Sequence, residues 1–232
     1  MKRIFPFLMA IFLLLGCVCF SFAEEINLIS ANSIIDNLKA KIKENPANVE
    51  DRIELGVIYF QLQENILAKQ YFEEALKIDN NNAIARYNLG KTLIVLGETE
   101  KGIAECEESL NLGLEDINVF KTLSVEYFNK RDLKKSLEMY KNIQRIEPQN
   151  DSAYFAAGVI YIGLRDGWKA RKEFEKAVEA NPNNVEAHYE LGWLYRDYDP
   201  QKSKEHYEKV LKLNPSHKKA KDELDELLSR RQ

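Results

Sequence analysis

Residues 151–184 read DSAYFAAGVIYIGLRDGWKARKEFEKAVEANPNN. Two runs with apolar residues at helical spacing flank the turn Asp166-Gly167. Ala157 and Gly158 sit in the middle of the first run, with Tyr161 three residues on. Ala170, Phe174 and Ala177 mark one face of the second, and Pro182 closes it. Steps of 34 residues in either direction land on the same pattern. Gly56, Gly90, Ser124, Gly158 and Gly192 share one register. Leu55, Leu89, Leu123, Ala157 and Leu191 precede them, and Tyr59, Leu93, Tyr127, Tyr161 and Tyr195 follow three residues later. A small residue falls at any one site roughly one time in five at average usage. Five in register, flanked in this way, are not chance. A period near 34 means stacked helical hairpins.

The second helix of each unit has its own landmarks. Ala68, Gly102, Ser136 and Ala170 are small; Phe72, Cys106, Tyr140 and Phe174 follow four residues on. Ala75, Ser109, Ile143 and Ala177 come three later, and Pro148 and Pro182 end units three and four. In the fifth unit Ser203, Tyr207, Val210 and Pro215 each fall one place early, so one residue is missing between its helices. Asp199-Pro200 at that turn reads as an N-cap followed by Pro at the first helical position.

This pattern resembles the tetratricopeptide repeat, W-x2-L-G-x2-Y followed by A-x3-F, A and P. The match is best in 151–184 and extends over 49–82, 83–116, 117–150 and 185–217. Unit two is the weakest, with Gly102, Cys106, Ser109 and Leu114 in place of larger or more typical residues. The resemblance implies an all-α, right-handed solenoid of stacked antiparallel hairpins. Ile34, Ile35, Leu38 and Ile42 give residues 24–48 a capping helix before the first repeat. Ala220, Leu224, Leu227 and Leu228 give 218–232 an amphipathic cap after the last. The expectation is about twelve helices and no sheet.

Composition excludes other classes. The chain has 232 residues, 45% hydrophobic and 30% charged, with only 10 Gly and 6 Pro, which argues against disorder. A net charge of −4 is a poor basis for binding nucleic acid, which wants a basic face.

The N-terminus reads as an address. Lys2 and Arg3 precede an uncharged run from Ile4 to Phe22, the pattern of a secretory signal in residues 1–23. Ser21-Phe22-Ala23 suits ordinary signal peptidase. Leu14-Leu15-Gly16-Cys17 resembles a bacterial lipobox, which makes Cys17 a candidate for lipidation. The residues after it, Val18, Cys19 and Phe20, are more apolar than lipoproteins usually carry there. An uncleaved anchor is the third alternative. In each case the body leaves the cytoplasm and resides in the periplasm, outside the cell, or on a membrane through its N-terminus.

No residue pattern supports chemistry. His188, His206 and His217 lack metal-ligand spacing, and His188 takes the place of the repeat's Trp, which predicts a packed histidine. Glu73-Glu74 and Glu107-Glu108 read as solvated faces. No P-loop, G-x-S-x-G, HExxH or EF-hand loop occurs. Asp79 to Asn82 reads as an inter-repeat turn, and Cys106 as a buried thiol. The expectation is a protein without catalytic, cofactor or metal residues.

Function is expected on the first helices, which line a concave face in proteins of the resembled family. By position these helices offer Ile53, Val57 and Phe60; Tyr87, Lys91 and Val95; Lys121, Val125 and Phe128; Phe155, Val159 and Ile162; and Tyr189, Trp193 and Arg196. Ile53, Phe60, Tyr87, Lys91, Lys121, Phe128, Phe155, Tyr189, Trp193 and Arg196 are the candidate groove residues. Exposed apolar strips and aromatic anchors mark interaction sites. The competing reading is that some merely pack one hairpin on the next. Chaperone-binding members of the family clamp a C-terminal carboxylate with Lys and Asn on these helices. Here the corresponding first-unit positions are Ile53 and Val57, so a partner with an apolar segment suits the face better. The reading is an exported scaffold or adaptor. The alternative is a lipid-anchored factor resembling pilus-assembly or outer-membrane-assembly lipoproteins.

Overall fold

The computed structural model describes residues 31–229. The proposed signal, Cys17 included, lies outside them. The described residues form twelve helices and no strand. The chain divides between Leu114 and Glu115 into two compact units. The first holds α1 (31–44), α2 (Glu50–Gln61), α3 (Asn65–Ile78), α4 (Ala83–Val95) and α5 (Thr99–Asn111). The second holds α6 (Ile117–Asn129), α7 (Leu133–Ile146), α8 (Asp151–Gly163), α9 (Gly167–Ala180), α10 (Val185–Tyr195), α11 (Pro200–Leu213) and α12 (Lys218–Ser229).

The helices begin where side chains can cap them. Asn48, Asn82, Asp116, Asn150 and Asn184, each 34 residues after the last, accept the N–H of Asp51, Ala85, Asn118, Ala153 and Ala187. One place early, as the fifth unit requires, His217 does the same for Ala220 through Nδ1. Each such cap stabilises its helix by ~1 kcal/mol relative to Ala. Asp199 caps α11 ahead of Pro200, as the Asp-Pro pair predicts.

The turns inside the hairpins obey a second rule. Gln63, Gly97, Arg131 and Arg165, again 34 apart, all have φ between 59° and 84°. The residue after each donates its N–H five residues back, to the carbonyls of Tyr59, Leu93, Tyr127 and Tyr161. This left-handed close satisfies carbonyls that the helix end leaves bare. The fifth hairpin lacks it. There α10 stops at Tyr195, and Arg196 to Asp199 make a longer turn with no left-handed residue. The missing residue therefore shortens the helix rather than the turn, because it removes the residue that closes the others.

The register residues are where paired helices meet. A Cβ on Gly56 would lie 2.6 Å from the Phe72 ring, on Gly158 2.5 Å from Phe174, and on Gly192 2.6 Å from Tyr207. In α6 and α7, where serines hold these places, the Ser136 hydroxyl donates to the Ser124 carbonyl at 2.8 Å. The second hairpin, least typical in sequence, closes tightly through Gly90 and Gly102. A Cβ on either would come within 2.7 Å of the other's carbonyl oxygen.

In the first unit α1 buries Ile35 and Leu38 against Leu55, Tyr59 and Phe72. In the second, Ala170, Phe174 and Ala177 of α9 pack with Ala187, Leu191 and Tyr195 of α10. Tyr207, Val210 and Ala220 join α11 to α12. Fully burying a side chain such as Leu55 or Phe174 contributes roughly 1.5–3 kcal/mol.

Candidate functional site

The first helices show two kinds of candidate residue. In the first unit Ile53 and Phe60 are half-buried and pack against the core with Val57. Lys91 lies between two rings, its Nζ 4.8 Å from the centre of Phe60 and 5.4 Å from that of Tyr87. An ammonium held over two ring faces is oriented as well as attracted. It gives this face one fixed positive charge among apolar neighbours. Val95, the last residue of α4, is exposed.

In the second unit Phe155, Val159 and Ile162 pack against the α9–α10 core. Tyr189 leans on Tyr207 and His217, with ring centres 5.9 and 5.2 Å away. Arg196 is drawn to carboxylates, Nη1 lying 3.3 Å from Glu223 and Nε 3.6 Å from Asp197. Lys121 is exposed. The large apolar side chains left in water on these first helices are Val125 (49% exposed), Phe128 (39%) and Trp193 (44%). Val125 and Phe128 are three residues apart and share one side of α6.

The structure thus sorts the candidate residues. Ile53, Phe60, Phe155 and Tyr189 serve inter-helix packing, while Phe128 and Trp193 present large apolar surface outward. Sequence could not separate them, because both sets occupy first-helix positions and differ only in what the neighbouring helix covers.

The ionisable groups are arranged for structure. Lys101 and Lys69, at 2.6 and 2.7 Å, hold the half-buried Glu98 carboxyl down at about 2. Glu173 is buried and takes Lys141 at 2.7 Å and the Gln144 amide at 3.0 Å. His188 is buried, as its place in the register predicts, and burial lowers its pKa. Cys106 is a buried thiol. Asp79 to Asn82 form a turn in which Asp79 accepts from the Asn81 N–H. Among the described residues no three His, Cys, Asp or Glu side chains converge to hold a metal ion. None of the described helices is long and apolar enough to cross a membrane.

The family model for the tetratricopeptide repeat matches residues 52–82, 151–184 and 173–204. This chain is a tetratricopeptide-repeat protein. Solved structures repeat the architecture. YrrB, described as a tetratricopeptide-repeat protein with an unusual peptide-binding site, superposes with a TM-score of 0.69 at 21% identity over 79% of this chain and 95% of that one. A MamA structure superposes with a TM-score of 0.63 at 18% identity over 74% of this chain and 94% of that one. Among curated relatives, BBSome complex member BBS4 of Bos taurus is 26% identical over 139 residues, covering 60% of this chain and 27% of that protein. Mitochondrial import receptor subunit TOM70 of Homo sapiens is 23% identical over 176 residues, covering 71% and 29%. This tetratricopeptide-repeat chain therefore spans under a third of the length of these curated relatives. Its repeats place it among protein-interaction scaffolds.

Proposed function

We propose that this protein is an exported scaffold whose second unit holds a protein or peptide partner against its first helices. The observation that carries this reading is the exposure of Phe128 and Trp193. Large rings left in water on a repeat scaffold are the residues from which interface anchors are drawn. A partner segment rich in apolar side chains suits them. Within the same unit the exposed Lys121 supplies charge for orienting a partner. Crosslinking from the native envelope, followed by pull-down, tests the reading. Phe128→Ala and Trp193→Ala should each leave helical content unchanged and weaken partner recovery at least ~5-fold, the equivalent of ~1 kcal/mol. Undiminished recovery with both variants rejects it.

The lipobox-like Leu14-Leu15-Gly16-Cys17 favours a second reading, a lipid-anchored envelope assembly factor. Intact mass of the membrane fraction distinguishes the two. A chain beginning at a diacylated Cys17 supports the anchored form, and one beginning at Glu24 excludes it.

A further inference from the structure

A cavity of about 340 Å³ opens between α9 and the end of α10, lined by Gly167, Trp168, Arg171, Leu194 and Tyr198. It lies within the second unit and involves none of the first-helix candidate residues. Its volume is at the lower end of the range for small-ligand sites, roughly 300–1,000 Å³. Two of its walls are rings left largely in water, Trp168 and Tyr198, each 56% exposed.

Two local departures from the repeat create it. The first is Gly167. One repeat earlier the same register position is Leu133, whose side chain reaches Gly163 at the end of α8. With glycine in its place the corresponding space beside α10 is unfilled. Nothing in the packing demands this glycine, because a Cβ there would meet only Leu194 Cδ2, at an ordinary 3.8 Å. The second departure is the fifth turn. Without its left-handed residue, the turn carries Tyr198 to Arg171, whose guanidinium lies 5.3 Å from the Tyr198 ring centre and donates to its hydroxyl.

The charges around the cavity have one sign to spare. Its only ionised wall is Arg171, whose Nε is buried without a hydrogen-bond partner and 3.6 Å from Glu175. Lys172 lies 3.8 Å over the Trp168 ring and has no carboxylate partner among the described residues. Asp166 caps α9 and pairs with Lys169; the first turn that follows contains no acidic residue, and Arg171 and Lys172 come next with no second carboxylate at that end. Cations there are opposed by the helix dipole and would be relieved by an incoming anion. The nearby carboxylates are engaged: Asp166 with Lys169 at 2.9 Å, Asp199 with Lys202 at 3.8 Å, and Glu175 with Arg171 at 3.6 Å and the Tyr195 hydroxyl at 2.5 Å, so the charge to spare is that of Lys172.

From this geometry we infer that the cavity is a docking site for an acidic peptide segment. An aliphatic or aromatic side chain enters between Trp168 and Tyr198, and a flanking Asp or Glu meets Arg171 and Lys172. Cations at the α9 terminus make the acidic flank the complementary choice.

Single-tryptophan fluorescence tests this, because the chain has only Trp168 and Trp193. Trp193→Phe leaves Trp168 as the sole fluorescent reporter, so the signal comes from this cavity and not from the first-helix face, and failure of the proposed function and failure of this inference stay distinguishable. Three capped pentapeptides serve as probes: Asp-Glu-Phe-Glu-Asp, Asp-Glu-Ala-Glu-Asp and Lys-Lys-Phe-Lys-Lys. The acidic phenylalanine peptide should shift Trp168 emission saturably and bind at least tenfold tighter than the other two. Gly167→Leu, which restores the residue of the preceding hairpin, should weaken that binding at least tenfold. Thermal melting of this variant verifies its folding, and Arg171→Gln, followed by peptide chemical shifts, gives an independent loss. Absence of binding at millimolar peptide, equal binding of the basic or alanine peptide, or undiminished binding to Gly167→Leu overturns the inference.

Discussion

His188 on α10 and His206 on α11 face each other with their Nδ1 atoms 2.9 Å apart. His188 Nε2 also lies 3.2 Å from the Pro182 carbonyl. Both contacts are satisfied when His188 Nε2–H donates to that carbonyl and His206 Nδ1–H donates to His188. The same two register positions hold Arg86 and Glu105, bridged at 2.7 Å, in the second hairpin. In the third they hold Phe120 and Met139, both buried. One structural place is thus filled by an ion pair, an apolar pair or a neutral histidine pair.

The histidine pair makes stability fall in mild acid. Burial, then the neighbouring His188, lowers the His206 pKa from an ordinary 6.5 to about 4, and burial also lowers that of His188. Lys202 and Lys209 act in the same direction, while Glu175 and Glu205 oppose it. The unfolded chain therefore takes up protons below pH 6.5 that the folded chain refuses. Full stability is present above 6.5, declines as pH falls, and its loss from His206 levels off below about 4. His206→Met, which copies Met139, should flatten the dependence of melting temperature on pH between 6.5 and 4. Parallel curves for the two proteins would contradict this.

Tyr207→Phe should stabilise the protein. Tyr207 is fully buried and its hydroxyl has no hydrogen-bond partner. Burial accordingly raises its pKa above the usual phenol range. Phe72 and Phe174 occupy the same register without a hydroxyl. Removing an unsatisfied buried hydroxyl should gain ~1 kcal/mol, against the usual sign of this substitution. Urea denaturation measures it, and a lower midpoint counts against the orphan hydroxyl.

Gly90→Ala should be costly. Its Cβ would sit 2.6 Å from Cys106 Sγ and 2.7 Å from the Gly102 carbonyl oxygen, and the backbone cannot swing aside as a side chain could. A loss of ~1–3 kcal/mol is expected. Gly167→Ala, with 3.8 Å of clearance, is the control and should be close to neutral. Equal melting temperatures for the two variants would be inconsistent with the close approach.

The left-handed turn positions should respond in opposite directions. Gln63→Gly and Arg131→Gly should each stabilise by ~0.5–1 kcal/mol, because glycine takes φ near 62° without steric cost. Gly97→Ala, at φ 84°, should lose ~1 kcal/mol or more. Equilibrium unfolding of the three variants decides between this and a turn that relaxes to accept any residue.

Part of this architecture is legible in the sequence because its requirements are local. The glycine register announced the hairpins because close helix approach has a local residue requirement. The Asn and Asp caps at 48, 82, 116, 150 and 184 stand in the same register, and an oxygen side chain before an apolar run is a start signal that residue type alone carries. The positive φ at Gln63, Arg131 and Arg165 could not have been read from residue type, since only Gly97 follows the glycine rule. Asp166-Gly167 read as a plain turn. Its glycine opens a cavity only because Leu194 and Tyr198, 27 and 31 residues away, border the same space.

Sequence alone determined the repeat, its period, the hairpin pairs and the one-residue deficit in the fifth, because each is a matter of spacing along one chain. Tertiary structure decided which first-helix residues are spent on packing and which remain exposed. Phe128 on α6 and Phe155 on α8 are both first-helix rings, yet Phe155 is pressed against Phe174 and Phe128 stands in water. It also decided that a missing residue shortens α10 and brings Tyr198 to Arg171. The physical reason is that burial depends on what the next helix covers, and the residue types at those positions do not encode that cover.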